Sequence, residues 1–384
     1  MQCSFLYFIA LSMPGPFWKR AIGTVLGSFL WVDLMATPES VTKMPVDHRQ
    51  VADHTPQKDG FRFFKKTPSV ATSVIVRVYE HGKLVGFLLV DRGRPPLGPA
   101  LPGGIVRYKE SPEKCLKRTL FDECGISSVS NVQQFKIYSD PARDPRMHAV
   151  DISYSVRVDD QKISSGTDAK HVWICPLEKI PWDRLVFDHK NMLKAYLEHL
   201  IASSDRVERT EKIQLGSATK NGVRNKSDFE NVAKQAYRPP YLFVAGIIEV
   251  YEGNEFKGIA LANFQQEQTV KLLPAGGIAY GETAEQAFQK HMQGKYQAEV
   301  HILGQFKAYS FFNDAGKKHD ITIVFLAKTD KKALGSLRVY ALDEILSENL
   351  GFHHKDIIED YLKYRKGESV DTFSVCPPYK GLSK

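Results

Sequence analysis

Apolar and polar positions alternate along this chain in short runs that change period. SVIVRVYE and KLVGFLLVD, spanning Ser73 to Asp91, read as two strands joined at His81-Gly82, a turn signal. From Ser111 the period lengthens: in SPEKCLKRTLFDECG, Cys115, Leu116, Leu120 and, at the end, Ile126 give one buried stripe of a helix. Ser111 can cap that helix, Pro112 suits its first turn and Gly125 can end it. VDISYSVRV alternates as a strand, and FDHKNMLKAYLEHLI is an amphipathic closing helix with Asp188 as a candidate N-cap. The sum is an α/β unit, a mixed sheet between helices.

The same order of elements returns further along the chain. VIVRVYEHGKLVGFLLVD resembles GIIEVYEGNEFKGIALAN, with Val78, Tyr79, Glu80 and Gly86 each 172 positions before Val250, Tyr251, Glu252 and Gly258. LPGGIVRYKES matches LPAGGIAYGET, QFKIYS matches QFKAYS, and FDHKNMLKAYLEHL matches FHHKDIIEDYLKYR. The sequence therefore predicts two copies of one domain, over 72–202 and 241–366. Residues 203–240 are polar and read as a linker with one short helix near NVAKQAY; 367–384 read as a tail.

Residues 1–71 read as a segment outside the fold. Its apolar runs, MQCSFLYFIALSM and AIGTVLGSFLWVDLM, both fall short of a membrane span, so no stable span is expected. Lys19 and Arg20 lie between the runs, which fits a secretory signal poorly. No acid precedes Asp33, which suits a mitochondrial segment, and Met35 is a second candidate start. A cytoplasmic protein is expected, with mitochondria as the alternative. The five cysteines (Cys3, Cys115, Cys124, Cys175, Cys376) form no C-x-x-C pair, so neither a zinc site nor a disulfide framework is indicated. A formal charge of +8 favours phosphate-bearing ligands only weakly in 384 residues.

The chemistry concentrates in LPGGIVRYKESPEKCLKRTLFDECGI, Leu101 to Ile126. Gly103 and Gly104 permit a tight turn where backbone can approach a phosphate. Glu110 ends the loop, and Arg118, Asp122 and Glu123 follow on the helix. Residues three and four apart share a helix face, so Thr119, Asp122 and Glu123 are expected on one side. Hard carboxylate oxygens suit Mg²⁺ or Mn²⁺ bridging to substrate phosphates. Arg92, Arg94, Arg143 and Arg146 lie in predicted loops and are candidate anion clamps. His189 and His354 recur at the start of both closing helices, which favours a structural role.

This stretch resembles the Nudix box, G-x5-E-x7-R-E-U-x-E-E-x-G-U with U aliphatic. Gly104, Glu110, Arg118, Leu120, Glu123, Gly125 and Ile126 match, Asp122 replaces a Glu, and Thr119 departs. SDPARDPRMHAVDISYSV extends the resemblance to the ADP-ribose pyrophosphatase-like branch. The resemblance implies two tandem Nudix folds and water attack on the pyrophosphate of a nucleoside diphosphate derivative, ADP-ribose or a dinucleotide, with Mg²⁺ or Mn²⁺. It implies that Asp122 and Glu123 hold metal, that Glu110 supports the loop or the metal shell, and that Arg118 orients carboxylates. Thr119 stands where the family has a Glu that ligates metal or acts as base; Asp140, Asp144 and Asp151 are candidate replacements for a base. The second copy has Lys290, His291, Gly294 and Lys295 at box positions and is expected to be inactive. The alternatives are a nucleotide-sensing or scaffold protein and an RNA 5′ pyrophosphohydrolase or RNA-complex subunit; a homodimer is also open.

Overall fold

The computed structural model describes residues 67–161, 163–165, 169–202, 212–215, 239–264, 267–313, 318–368 and 370. The expectations for the N-terminal segment with Met35, for the NVAKQAY helix and for most of the tail fall outside the described residues.

The first half is built on β1 (Ser69–Glu80), which starts just before the expected boundary at 72, and β2 (Lys83–Arg92). Their turn is formed by His81 and Gly82, both at positive φ (51° and 75°). Short β3 (Pro99–Ala100) and β4 (Gly103–Ile105) precede helix α1 (Pro112–Cys124). Then come β5 (Ser128–Tyr138), β6 (Ala149–Asp159), β7 (Ala169–Cys175) and helix α2 (His189–Ala202). The expected linker contributes β8 (Lys212–Gln214), which pairs with β5. The strand order is β3-β2-β1-β6-β5-β8, with β4 beside β1 and β7 beside β2.

Central β1 runs parallel to β6 and antiparallel to β2 and β4, and α1 and α2 cover its two faces, so its apolar run is nearly unbroken. Val74, Val76 and Val78 turn to the face that packs Cys115, Leu116 and Leu120 of α1. Ile75, with Phe87 and Leu89 of β2, turns to Met192, Leu193 and Tyr196 of α2. Helix α1 begins and ends as its sequence predicts. Ser111 accepts a hydrogen bond from the Lys114 N–H, and Gly125 closes the helix at φ 66° with its N–H on Phe121 O; the Ile126 N–H returns to Leu120 O.

The second half follows the same path: β9 (Tyr241–Glu252), β10 (Glu255–Phe264), β11 (Glu267–Leu272), β12 (Ala275–Gly277), helix α3 (Ala284–His291), β13 (His301–Asn313), β14 (Lys318–Asp330), β15 (Arg338–Tyr340) and helix α4 (His354–Arg365). Its order is β11-β10-β9-β14-β13, with β12 beside β9 and β15 beside β10. Gln297, at the position equivalent to Gly125, takes the same left-handed conformation at φ 55°.

The two halves share a core. The α1 face of the first sheet and the α3 face of the second belong to one continuous apolar cluster, and α2 and α4 cover separate outer ones. Where β5 and β13 approach, side-chain amides replace a strand ladder. The Gln134 amide accepts from the Ala308 N–H (2.8 Å) and donates to its C=O (3.0 Å). The Gln305 amide does the same for Ile137, at 2.7 and 3.3 Å. Both residue pairs, Gln134 with Gln305 and Ile137 with Ala308, stand 171 positions apart, so the contact maps onto itself by an internal two-fold rotation, as in an isologous interface. Among the described residues, no helix is long and apolar enough to cross a membrane.

Truncating either glutamine strands a buried backbone N–H and C=O. Gln134→Ala is expected to lower stability by about 1–3 kcal/mol, read from urea unfolding midpoints with an unchanged m-value.

Candidate functional site

Beside β4 lies an open cavity of about 210 Å³ lined by Asp91, Arg92, Gly93 and Arg94 from the end of β2, Leu101 and Gly103 from the glycine strand, Glu123 from α1 and Arg146 from the β5–β6 loop. Three guanidiniums face two carboxylates, so the cavity carries a net positive charge suited to an anion. The Arg92 and Arg146 guanidiniums lie 4.7 and 5.2 Å from the Phe187 ring, and Arg146 makes a forked pair with Asp144 (3.0 and 2.8 Å). Burial and then the neighbouring Arg146 lower the Arg92 pKa, while Asp144 and Glu123 work the other way. A bound phosphate would relieve that crowding of like charges.

The glycine pair is not a turn. Gly103 and Gly104 pair as strand with Ser73 and Thr72, and neither has a positive φ. Their small size is what matters: a Cβ on Gly103 would sit 2.6 Å from Thr72 O, and one on Gly104 would sit 3.0 Å from Thr119 Oγ1. Arg118 and Glu110 then fasten the following loop. Arg118 Nε and Nη2 reach the two Glu110 oxygens at 2.6 and 2.9 Å, Nη2 also donates to Ile105 O, and the Arg107 N–H donates to Glu110. Burial opposes the Glu110 charge, but Arg118 and the Arg107 N–H outweigh it and hold the pKa below the ordinary carboxylate value. Glu110 therefore acts on loop geometry; its oxygens are engaged.

Thr119, Asp122 and Glu123 do not share one open face. Glu123 lines the cavity, Asp122 is exposed beside it without lining it, and Thr119 is 1% exposed beneath Gly104, its hydroxyl lacking any hydrogen-bond partner. The 100° step of the helix carries position 119 under β4 while 122 swings to solvent. Arg94 and Arg146 reach the cavity, but Arg143 turns inward: it forks onto Asp188 (2.9 and 2.7 Å) and lies 3.5 Å from Asp151. Asp188 thus spends its carboxylate on Arg143. Asp151 is buried on the Ser73 N–H and hydroxyl, Asp144 is held by Arg146, and Asp140 bonds the Ala142 N–H, so none of these three acids lines the cavity. Asp91, which sequence reasoning passed over, does.

Among the described residues no group of three or more His, Cys, Asp or Glu side chains is arranged to hold a metal ion. Glu123 at the cavity wall still suits Mg²⁺ or Mn²⁺, because such ions use one or two protein carboxylates plus substrate phosphates, whereas Asp122 points away from the cavity. Thr119 adds no charge to that set.

The equivalent place in the second half is filled. The His291 imidazole packs where a Cβ on Gly276 would be, and its Nε2 is 2.8 Å from Gly277 O. Lys295, aligned with Glu123, donates to Ala275 O at 3.4 Å, and Lys290 pairs with Glu282 at 3.0 Å. The recurrent histidines are structural in both halves: His189 Nδ1 accepts from the Leu101 N–H (2.9 Å) and His354 Nδ1 from the Leu273 N–H (2.8 Å). Each fixes the start of its glycine strand.

A NUDIX domain model matches residues 67–196. The chain is similar to an ADP-ribose pyrophosphatase of Methanocaldococcus jannaschii, 34% identical over 133 residues, which covers 34% of this chain and 73% of that protein. It is similar at 25% identity to the NUDIX domain of Shewanella oneidensis NrtR, solved with ADP ribose, over 35% of this chain and 90% of that one, with a TM-score of 0.32. A MutT/nudix family protein from Enterococcus faecalis matches at 23% identity over 50% and 76% of the two chains, with a TM-score of 0.33. Structural likenesses this slight carry no weight for the site.

The two histidines make stability pH-dependent. Burial pushes the pKa of His189 down to about 3 and that of His354 down to about 4. Below about 6.5 the unfolded chain takes up protons on both rings while the folded one does not, so stability falls as pH drops through that window. The urea midpoint is expected to decline from pH 7 to 4.5, and His354→Asn, which keeps an acceptor but cannot titrate, should flatten the decline.

Proposed function

Because the chain belongs to the Nudix family, we propose that its first half binds a nucleoside diphosphate derivative such as ADP-ribose in the arginine cavity and hydrolyses its pyrophosphate. The observation that carries this reading is the convergence of Arg92, Arg94 and Arg146 on the place where Glu123 and Gly103 meet. The arginines take the diphosphate oxygens and align them against the glycine strand, whose missing Cβ atoms let the backbone come close. The Arg118–Glu110 fork holds the strand-to-helix loop rigid, so that Glu123 is presented at a fixed height. A divalent cation, held by Glu123 at the cavity wall, would neutralise charge on the phosphoryl group under attack. Water adds to one phosphorus and the bridging P–O bond breaks, leaving two monophosphates. With Glu123 committed to the cation, Asp91 is the cavity's remaining carboxylate and accepts the proton of the attacking water. The second half we read as a Nudix-fold copy without catalysis: Lys295 stands at the position of Glu123 and Gly294 at that of Asp122.

One observation favours a second reading, a nucleotide-binding module with little turnover: the buried, unpartnered Thr119 hydroxyl beneath Gly104. An assay separates the two. The full chain would be incubated with Mg²⁺ or Mn²⁺ and ADP-ribose, dinucleotides or 5′-triphosphate RNA. Turnover of ADP-ribose that is lost in Asp122→Ala/Glu123→Ala is the expected result. Asp91→Asn should lower kcat with little change in KM. Arg146→Ala should raise KM about tenfold to a hundredfold, the roughly 1.5–3 kcal/mol of a charged hydrogen bond. Binding of ADP-ribose without turnover, with activity gained in Thr119→Glu, would give the second reading; release of pyrophosphate from the RNA alone would displace both.

A further inference from the structure

The cavity's Arg146 comes from the loop between β5 and β6, and both ends of that loop are held by the second half. At its start, the Ser139 hydroxyl accepts from the Ala284 N–H (2.9 Å) and donates to Glu285 (3.3 Å). At its end, the His148 N–H donates to the Tyr280 hydroxyl (3.1 Å), and the Gly281 N–H donates to His148 Nδ1 (3.0 Å). His148 Nε2 lies 3.3 Å from Ser139 O, which joins the two ends. The Tyr280 ring meets the His148 ring edge-on at 5.3 Å.

The internal two-fold would place a matching clamp on the opposite side, with Tyr108, Lys109 and Pro112 holding Ser310 and His319. Among the described residues, Ser310 and His319 do not repeat the contacts of Ser139 and His148. Tyr108 and His319 are 6.4 Å apart, His319 Nδ1 is buried without a partner, and the Ser310 hydroxyl turns to His319 Nε2 (2.9 Å). The sequence explains part of the difference. The N–H that Ala284 gives to Ser139 does not exist at Pro112, because proline has none. In Ala284 it is one of the free N–H groups of a helix's first turn, available to an outside acceptor.

We infer that the second half is a built-in positioning partner: Tyr280, Gly281, Ala284 and Glu285 hold the Ser139–His148 loop so that Arg146 stands in the anion cavity. The held loop leads to the open cavity, which fits this role. The inference rests on the arginine cavity being the ligand site.

Tyr280→Phe removes one acceptor at a half-exposed position. Ala284→Pro removes one donor at a helix position where proline is tolerated. In the full chain, both are expected to speed hydrogen exchange of the Ala142, Arg143, Arg146 and Met147 amides about tenfold. They should also raise KM for ADP-ribose about tenfold with kcat within about twofold, while the melting temperature stays near that of the wild type. Ser310→Ala, on the opposite side, should change neither reading. Unaltered exchange in both clamp variants overturns the inference, as does a fall in kcat at constant KM. Should the wild type neither bind nor turn over ADP-ribose while the exchange rates rise as expected, the proposed function fails and the clamp stands.

Discussion

Two strand edges meet near the middle of this molecule, and each would leave a buried peptide group without a partner. A continuous ladder between β5 and β13 would solve that by fusing the sheets. Instead, a glutamine from each strand supplies one donor and one acceptor to the backbone of the other, Gln134 to Ala308 and Gln305 to Ile137. An amide side chain is the one uncharged group that mimics a peptide on both sides. This exchange lets the halves share a dry apolar cluster while keeping their sheets separate. It also sets the distance at which helix α3 approaches the first half. The contacts of Ala284 and Glu285 with Ser139, and so the path of the arginine loop, follow from that distance.

The cavity owes its character to several small absences. Two missing Cβ atoms let β4 lie against β1 and α1 together. A missing charge at Thr119 leaves an uncharged, unsatisfied oxygen under the strand. Three arginines surround what remains; Asp144 holds Arg146, and Arg146 and Arg92 both lie against the Phe187 ring. The neighbouring Arg143 shows how context redirects a residue type. Its side chain satisfies Asp188 and Asp151 inside the protein, and it sets the loop's base.

Much of this was legible in the sequence wherever the cause was local. Ser111, Pro112 and Gly125 bound α1 because caps act over three or four residues. The resemblance to the box gave Glu110 a loop role and Arg118 a hold on carboxylates, and the repeat revealed that strand order would recur. The misreadings share one origin. Gly103-Gly104 resembles turn chemistry, yet the reason for glycine lies in Thr72 and Thr119, which are distant in sequence. Arg143 and Arg146 are three residues apart and alike in type; burial against Asp188 separates them. Asp91 ends an ordinary strand, and only the return of β4 and α1 makes it a cavity wall. The match of QFKIYS to QFKAYS was plain, but that its glutamines serve each other's strands depends on how two edges meet.

In an assembly of two identical chains, every substitution appears on both sides of the axis at once. Here the axis lies inside one polypeptide, and its two sides answer to different codons. Pro112 can stand opposite Ala284, Lys109 opposite Gly281, and Glu123 opposite Lys295, each change made once. A symmetric scaffold is thereby free to become lopsided one atom at a time: a cation fastened to the backbone at Ala275 on one side, an open anion cavity on the other.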